Sequence, residues 1–429
     1  MIREAQSQNV TTEVGNKGHC RFCGAPLRTS VVDLGMAPLS NSIRSASQIY
    51  SVEHFYPLHV FVCDSCYLTQ LVDFIGPEAI FNSEYSYFSS FSTSWLDHAK
   101  RYADMMVKRF GLNQQSQVIE IASNDGYLLQ YFQPHGVPVL GVEPTSNTAA
   151  VAQEKGIPTV VEFFGVRLAE QLKQQGKSAD LLLGNNVLAH VPDINDFVGG
   201  LKVLLKPHGV ITIEFPHLMR LIDGNQFDTI YHEHYSYLSF MAVQKIFAEH
   251  GLTLFDVEEL PTHGGSLRIF GRHTEDTSKP ITGAVTEMLT RETDAGYNNP
   301  AMYTAFGARV AETKRRLLNC LINLKQNKKT IVGYGAAAKG NTLLNYCGIR
   351  TDMLDYVVDR SPHKQGYYTP GTHIPIYAPE MIAETRPDYV LILPWNLKNE
   401  IMQQMAHVAE WGGRFIVPIP APQILNPPT

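Results

Sequence analysis

Gln117-Val-Ile-Glu-Ile-Ala-Ser-Asn-Asp-Gly126 is the stretch on which the reading of this chain turns. Its first six residues read as a buried strand, and the small residues after them as a loop. Tyr127-Leu-Leu-Gln-Tyr-Phe132 then reads as the start of a helix. Strand, small-residue loop and helix in that order open a doubly wound sheet, and such a loop lets a ligand approach the backbone.

Outward from this unit the alternation continues. A helix-like run, Ser94 to Phe110, precedes it, and Val139-Leu-Gly-Val142, Ala179 to Leu183 and Gly209 to Glu214 supply further short apolar strands. Polar helical stretches separate them, which implies a parallel sheet covered on both faces. A second alternation starts at Thr330-Ile-Val-Gly333, after a helical segment from about Tyr303 to Lys328. It runs through Met353 to Val358, Tyr389 to Leu393 and Arg414 to Val417. The polar stretch Asp276 to Pro300 shows no apolar period and reads as the linker. The closing Pro-Ile-Pro-Ala-Pro-Gln-Ile-Leu-Asn-Pro-Pro-Thr is too rich in proline for a helix or a central strand. The first 76 residues carry only short extended runs, such as Leu58 to Val62, and are too few to bury much of a core.

Composition narrows the class. With 429 residues, 44% hydrophobic and 18% charged, the chain is long enough for two or three domains and is not disordered as a whole. Its net charge of −6 offers no basic field for nucleic acid. No stretch reaches the roughly 18 apolar residues of a membrane span. The start, MIREAQSQNVTTEVGNKG, lacks the apolar core of a secretory signal. A soluble, cytoplasmic protein is the expectation.

Four of the six cysteines form two Cys-x-x-Cys knuckles, Cys20/Cys23 and Cys63/Cys66, separated by 39 residues. Each knuckle offers two thiolates to one tetrahedral ion, so structural zinc is expected. Disulfides are disfavoured in a cytoplasm, and a thioredoxin-like site needs one such pair beside a βαβ unit. A closed four-sulfur site supplies folding energy to a small module rather than chemistry. Cys320 and Cys347 read as buried apolar residues.

Three features of the middle block suggest a nucleoside cofactor. They are the Ala122-x-Asn124-x-Gly126 loop, Glu143 about 20 residues on, where it can meet a ribose diol, and Asn185-Asn186 after a later strand. The loop lacks the dinucleotide glycines, which favours S-adenosylmethionine over NAD. Asn124 and Asp125 read equally well as turn formers. The densest ionisable cluster is Phe227-Asp-Thr-Ile-Tyr-His-Glu-His-Tyr-Ser-Tyr237. A neutral imidazole accepts a proton near pH 7 and a phenol donates to an oxyanion, so the cluster suits proton abstraction beside a carbonyl. A metal held by His232, His234, Glu233 and Asp228, or a core of aromatics with satisfied histidines, are the competing readings. In the last block Gly333-Tyr-Gly335-Ala-Ala337-Ala338 and Asp359 match a dinucleotide fingerprint, which keeps an NAD-dependent sugar-nucleotide oxidoreductase open. Lys339, in the first turn of the following helix, suits a pyrophosphate instead. Asn341 and Lys364 are weaker candidates, for which a surface role is the simpler reading.

Taken together, the paired knuckles, Glu-Ile-Ala-Ser-Asn-Asp-Gly, Asn-Asn-Val-Leu-Ala-His190, Tyr-His-Glu-His-Tyr and Gly-Tyr-Gly-Ala-Ala-Ala-Lys-Gly resemble the nucleotide-sugar C-methyltransferases of 4-keto-6-deoxy sugars. The resemblance spans the chain in the right order. It implies an α/β protein with a zinc-binding module (1–78), a central doubly wound, Rossmann-like methyltransferase domain (79–295) and a C-terminal Rossmann-like domain gripping the nucleotide sugar (296–429). It implies C-methylation of an NDP-4-keto-6-deoxyhexose, with C3 preferred to C5 and TDP as the nucleotide, and it requires no oligomer. It also makes His234 the base, with Tyr231 and Glu233 as neighbours, His190 a second polar contributor, and Tyr85 or Tyr87 the phenol near the substrate. Gly335, Ala337, Lys339, Asn341 and Asp359 are then the substrate-binding candidates. A zinc-ribbon sensor that binds a sugar nucleotide without turning it over is the reading from a different class, and it would make Tyr231 to His234 dispensable.

Overall fold

Seventeen strands among the described residues form three sheets. The structure is a computed structural model and describes residues 18–72, 75–81, 85 and 87–428. The N-terminal stretch read for a secretory signal lies outside the described residues, apart from Gly18.

In the first sheet, β1 (Thr29–Ala37), β2 (Tyr56–Val62) and β3 (Thr69–Leu71) pair antiparallel. The second sheet is built on five parallel strands, β4 (Val118–Ile121), β5 (Val139–Val142), β6 (Thr159–Val160), β7 (Ala179–Asn185) and β8 (Leu205–Pro216). Their spatial order is β6-β5-β4-β7-β8, so the order reverses between β4 and β7. There the first crossover goes one way and the next the other, opening a crevice at the carboxyl ends. The chain then leaves this sheet, because β9 (Ser236–Tyr237) pairs with β3 of the first. It returns as an antiparallel hairpin, β10 (Leu252–Leu260) and β11 (Ser266–His273), with β11 beside β8.

The third sheet holds β12 (Ile331–Tyr334), β13 (Val357–Val358), β14 (Ile376–Tyr377), β15 (Tyr389–Ile392), β16 (Arg414–Val417) and β17 (Gln423–Leu425). Its order is β14-β13-β12-β15-β16-β17, all parallel but the last. A second reversal therefore lies between β12 and β15. The proline-rich tail joins as an antiparallel edge strand, where proline is tolerated.

Three expectations need correction. Tyr127 to Phe132 forms no α-helix, only turns and the 3-10 segments Leu129–Tyr131 and Gln133–His135. Tyr127, Leu128, Leu129 and Phe132 are all buried, which one face of a helix cannot achieve, and Pro134 and Gly136 stop any continuation. The stretch read as a linker contains a helix, Gly283–Asp294, whose Val285, Met288 and Glu292 are buried. The strand read over Met353 to Val358 shrinks to two residues, matching a two-residue partner in β14.

Both faces of the second sheet are covered. One carries the helix Thr93–Phe110, with Trp95, Tyr102 and Met106 packed on Phe132 and Phe270. The other buries Phe197, Leu201, Phe247 and Met288 together with Cys20, Cys63 and Cys66 of the knuckles. The strands β1 and β2 pack instead with Leu317, Leu343 and Leu344 of the last block. The N-terminal module is a wedge whose two sides are finished by its neighbours.

Glu292 holds one corner of this arrangement. It is fully buried, accepts hydrogen bonds from the amides of Phe240 (2.7 Å) and Met241 (2.7 Å) at a helix start, and lies 2.7 Å from His217 Nε2. Removing it orphans three buried donors. Glu292→Ala is expected to cost about 3 kcal/mol in chemical denaturation, with Glu292→Gln intermediate.

Candidate active site

The knuckles are two copies of one turn. Cys20 N bonds to Ala25 O and Gly24 N to Cys20 O, and Cys63 N to Leu68 O and Tyr67 N to Cys63 O in the same way. Gly24 and Tyr67 hold the equivalent left-handed position, at φ +72° and +67°. Glycine fits there without cost, whereas Tyr67 is held under Lys245, whose Nζ is 4.3 Å from the ring centroid. All four sulfurs lie within 4.8 Å of one another, with Cys20–Cys66 and Cys23–Cys63 at 3.5 Å. Four thiolates around a zinc ion sit about 3.8 Å apart, given Zn–S bonds of about 2.3 Å. Burial also pushes the Cys23 thiol up to about 11, and a bound cation would hold that thiol ionised. The residues fit structural zinc, and Gln70 Nε2 donates to Cys20 Sγ at 3.1 Å from the next layer out.

The cofactor candidates meet at the reversal between β4 and β7. Ala122, Asn124 and Gly126 have φ of +57°, +50° and +74°, a tight turn that folds the loop over the strand end. Asn124 serves the loop through its side chain, which accepts from Ser89 N (2.9 Å) and donates to Tyr87 O (3.1 Å). Glu143 accepts from the amides of Asn124 and Thr145, both at 2.9 Å, and bridges the loop to its own strand. Around this frame several buried polar atoms have no protein partner among the described residues: Ser123 Oγ, both ends of the Asn185 amide, Asn186 Oδ1 and His190 Nδ1. Glu120, which opens the Glu-Ile-Ala-Ser-Asn-Asp-Gly motif but is not among the candidate site residues, lies beside them. It is fully buried near the Tyr127 phenol, and burial with Glu143 and Asp125 nearby holds its carboxyl well above the usual range. Its mark in the sequence is an acid inside an apolar strand. Unpaired buried groups at a sheet's carboxyl edge are what a polar cofactor satisfies.

His234 lies across the crevice. Its Nδ1 is 2.7 Å from the carbonyl oxygen of Thr229, which can only accept, so Nδ1 carries the proton and Nε2 keeps a lone pair. Burial, with His190 and Lys339 near, holds the imidazole well below 6.5 and therefore neutral. The His190 and Tyr231 ring centroids stand 4.6 and 4.0 Å away. Burial pushes His190 down to about 4, and pushes the Tyr231 and Tyr85 phenols well above 10, so both phenols remain donors. Tyr85 lies in electrostatic range of Glu233 and Tyr231, and Tyr87 in range of Tyr231 and Tyr85, so both phenols stand near the cluster. Glu233 is buried, its carboxyl raised to about 7 by desolvation, and it accepts from Asn41 Nδ2 at 2.5 Å. The metal reading of this segment fails. His232 turns away to Pro57 O (3.2 Å) and the Tyr56 ring, and among the described residues the cysteines are the one cluster suited to an ion.

The third sheet faces the same segment. Gly335, at φ +94°, needs to be glycine because a Cβ would lie 2.6 Å from Pro394 across the second reversal. Ala337 caps the helix Ala338–Cys347, in whose first turn Lys339 sits with Nζ 3.5 Å from Asn396 Oδ1 and 5.5 Å from the Trp395 ring centroid. Trp395 Nε1 donates to Asp228 Oδ2 at 2.7 Å, joining this sheet to the Phe227–Thr229 turn. Asp359 accepts from Ala336 N and Ser361 N, both at 2.8 Å, bracing the loop. The surface roles read for Asn341 and Lys364 do not hold. Asn341 is 1% exposed and donates to Ser40 O (2.7 Å), and Lys364 donates to Ala336 O (2.9 Å).

A methyltransferase-type sheet with an S-adenosylmethionine edge, a four-cysteine zinc module and a second α/β unit is the class these features define. Family models agree along the chain: "Putative zinc binding domain" at residues 20–81, "Methyltransferase domain" at 95–257 and "C-methyltransferase C-terminal domain" at 261–420. C-methyltransferase NovU of Streptomyces niveus is 36% identical over 407 residues, covering 95% of this chain and 96% of that protein. The chain belongs to this C-methyltransferase family. It is an enzyme of the methyltransferase class, uses S-adenosylmethionine and holds structural zinc, which displaces the oxidoreductase and sensor readings. A ubiquinone biosynthesis O-methyltransferase of Rhizobium etli is 26% identical over 121 residues, covering 26% of this chain and 48% of that protein. Among solved structures, the 1,6-didemethyltoxoflavin-N1-methyltransferase of Burkholderia thailandensis covers 48% of this chain and 95% of its own, at 19% identity and a TM-score of 0.35. Among the described residues no helix is long and apolar enough to cross a membrane.

Two outcomes follow from the site. Elemental analysis is expected to find one zinc per chain, lost in Cys66→Ser together with cooperative unfolding. Glu233, raised to about 7, must be ionised in the folded protein above that pH, which costs stability there. Below the free carboxyl's 4.5 both states are protonated and the cost is gone. Glu233→Gln is therefore expected to melt several degrees above the parent at pH 8.5, the advantage shrinking as pH falls from about 7 to 4.5.

Proposed function

We propose that this enzyme methylates C3 of an NDP-4-keto-6-deoxyhexose, with TDP as the nucleotide, through an enolate that His234 generates. The observation that carries the reading is the His234 Nδ1 to Thr229 hydrogen bond, which leaves Nε2 as a neutral acceptor beside two protonated phenols. His234 Nε2 takes the C3 proton, and the electron pair moves into the C3–C4 bond, placing negative charge on the former ketone oxygen. Tyr85 or Tyr231 donates to that oxygen, which matters because a weakly basic imidazole needs its product stabilised. His190, with its free Nδ1, is a second polar contact for the sugar. Bound S-adenosylmethionine supplies a methyl on a sulfonium, which departs as a neutral thioether.

Ala122, Asn124, Gly126 and Glu143 frame that cofactor, with the Asn185 amide and Asn186 Oδ1 beside it. In the third sheet, Gly335 and Ala337 let the pyrophosphate approach the helix start, where Lys339 adds a positive charge. Asp359 and Asn341 act one step back, holding the loop and the neighbouring chain.

His234→Asn is expected to lower kcat by about a thousandfold or more and to abolish exchange of the sugar's C3 proton with deuterated solvent. Tyr85→Phe and Tyr231→Phe are expected to slow exchange without removing it. NMR of the sugar with and without the cofactor reads both, and undiminished exchange in His234→Asn overturns the assignment.

A further inference from the structure

The zinc module does more than brace its neighbours, because the loop after β1 runs into the catalytic cluster. Ser40 and Asn41 belong to Pro38-Leu-Ser-Asn-Ser42, between the two knuckles in sequence. Ser40 is buried, its carbonyl accepts from Asn341 Nδ2 at 2.7 Å, and its hydroxyl lies 3.3 Å from Thr342 Oγ1, both on the helix Ala338–Cys347. The next residue, Asn41, donates from Nδ2 to Glu233 Oε1 at 2.5 Å. Two consecutive residues, Ser40 and Asn41, thus tie the third sheet's first helix to the Glu233 carboxylate. Two further contacts keep this loop from drifting: Arg44 N to Tyr368 O (2.9 Å), and Glu53, which accepts from Gly371 N (2.9 Å) and pairs with His373 (2.7 Å).

We propose that Asn41 is a positioning residue for the methyl-transfer reaction, holding the Glu233 carboxylate with Oε1 engaged and Oε2 aimed at a substrate hydroxyl. The proposal rests on the assignment of Glu233 to the substrate site. The amide suits the task chemically. A neutral N–H donor stabilises the carboxylate form without neutralising it, so Glu233 stays an acceptor although buried. Other charged or titratable groups facing Glu233 are Tyr85 and Tyr231, Lys364 from the third sheet's loop, and the His190 ring against its backbone. Of these, Lys364 alone helps to keep the carboxyl ionised, and its Nζ is engaged with Ala336 O at 2.9 Å.

The test uses the full-length zinc-loaded enzyme with Asn41→Ala and the near-isosteric Asn41→Asp, each checked for unchanged S-adenosylmethionine affinity. The Glu233 carboxyl is titrated by carbon-13 NMR of glutamate-labelled protein, assigned with Glu233→Gln, and kcat/KM is profiled against pH with the 4-keto sugar nucleotide. Without the donor, the Glu233 midpoint is expected to rise by about one pH unit from its value near 7, and further in Asn41→Asp. The acidic limb of kcat/KM should move with it, giving about a tenfold loss at pH 6.5 that recovers above pH 8.5. A general weakening of the fold would lower kcat/KM equally at every pH. An unmoved midpoint, or a pH-independent loss, overturns the role of Asn41. Should the parent enzyme methylate no 4-keto sugar at all, the reaction assignment falls instead, and the NMR midpoint still decides whether Asn41 governs Glu233.

Discussion

The hydrogen bond from His234 Nδ1 to the Thr229 carbonyl constrains most of what surrounds it. A carbonyl oxygen cannot donate, so the ring has one tautomer, and its other nitrogen must face away from the Phe227–Thr229 turn. For that bond to persist the turn must be rigid, and the protein secures it from three directions. Thr229 Oγ1 donates to Gln226 O (2.7 Å), Asp228 takes the Trp395 indole, and Asn225 Nδ2 donates to Thr313 Oγ1 (2.7 Å) on the long helix Phe306–Gln326. Two of those anchors lie in the third block, so the tautomer of His234 depends on a unit remote in sequence.

The other end of the segment is held by the zinc module. Leu71 N donates to Tyr235 O (2.9 Å), and β9 completes the sheet of β1 to β3. That sheet has little core of its own and shares its cysteines and strands with clusters on either side. Zinc therefore acts on this segment through mechanics: it steadies the short strand β3, which pairs with the residues that follow His234.

Elements with strong local signals were legible in the sequence. The apolar runs around Val118, Val139, Leu181 and Ile211 became the parallel strands, and the cysteine spacing gave the four-sulfur cluster. Failures came where a residue's meaning depends on a distant partner. Glu292 looks like a charge on a polar stretch until it caps a helix some 50 residues away, which hid the helix Gly283–Asp294. Asn341 reads most simply as a surface residue, yet it is buried and donates to Ser40 O. Asn41 carried no pattern at all. Tyr127 to Phe132 was misread because four inward side chains on a tight turn imitate the composition of a helix but not its geometry.

The two reversals of strand order explain why the enzyme needs this much chain. Each α/β sheet has one crevice at its carboxyl edge, and one crevice accommodates one nucleotide-like ligand. A reaction between two such ligands needs two crevices opening toward each other, with the reacting atoms meeting in the gap. Here the gap is the Tyr231–Tyr237 segment, reached from one side by Asn186, whose Nδ2 lies 2.8 Å from His263 Nε2, and from the other by Lys339 and Trp395. Neither crevice alone surrounds His234. Burial sufficient to keep two histidines neutral, two phenols protonated and a carboxyl near 7 arises only when both sheets and the zinc module close on one segment. The electrostatics of His234 are thus a property of the assembly of the three units, not of the Tyr-His-Glu-His-Tyr sequence that displays it.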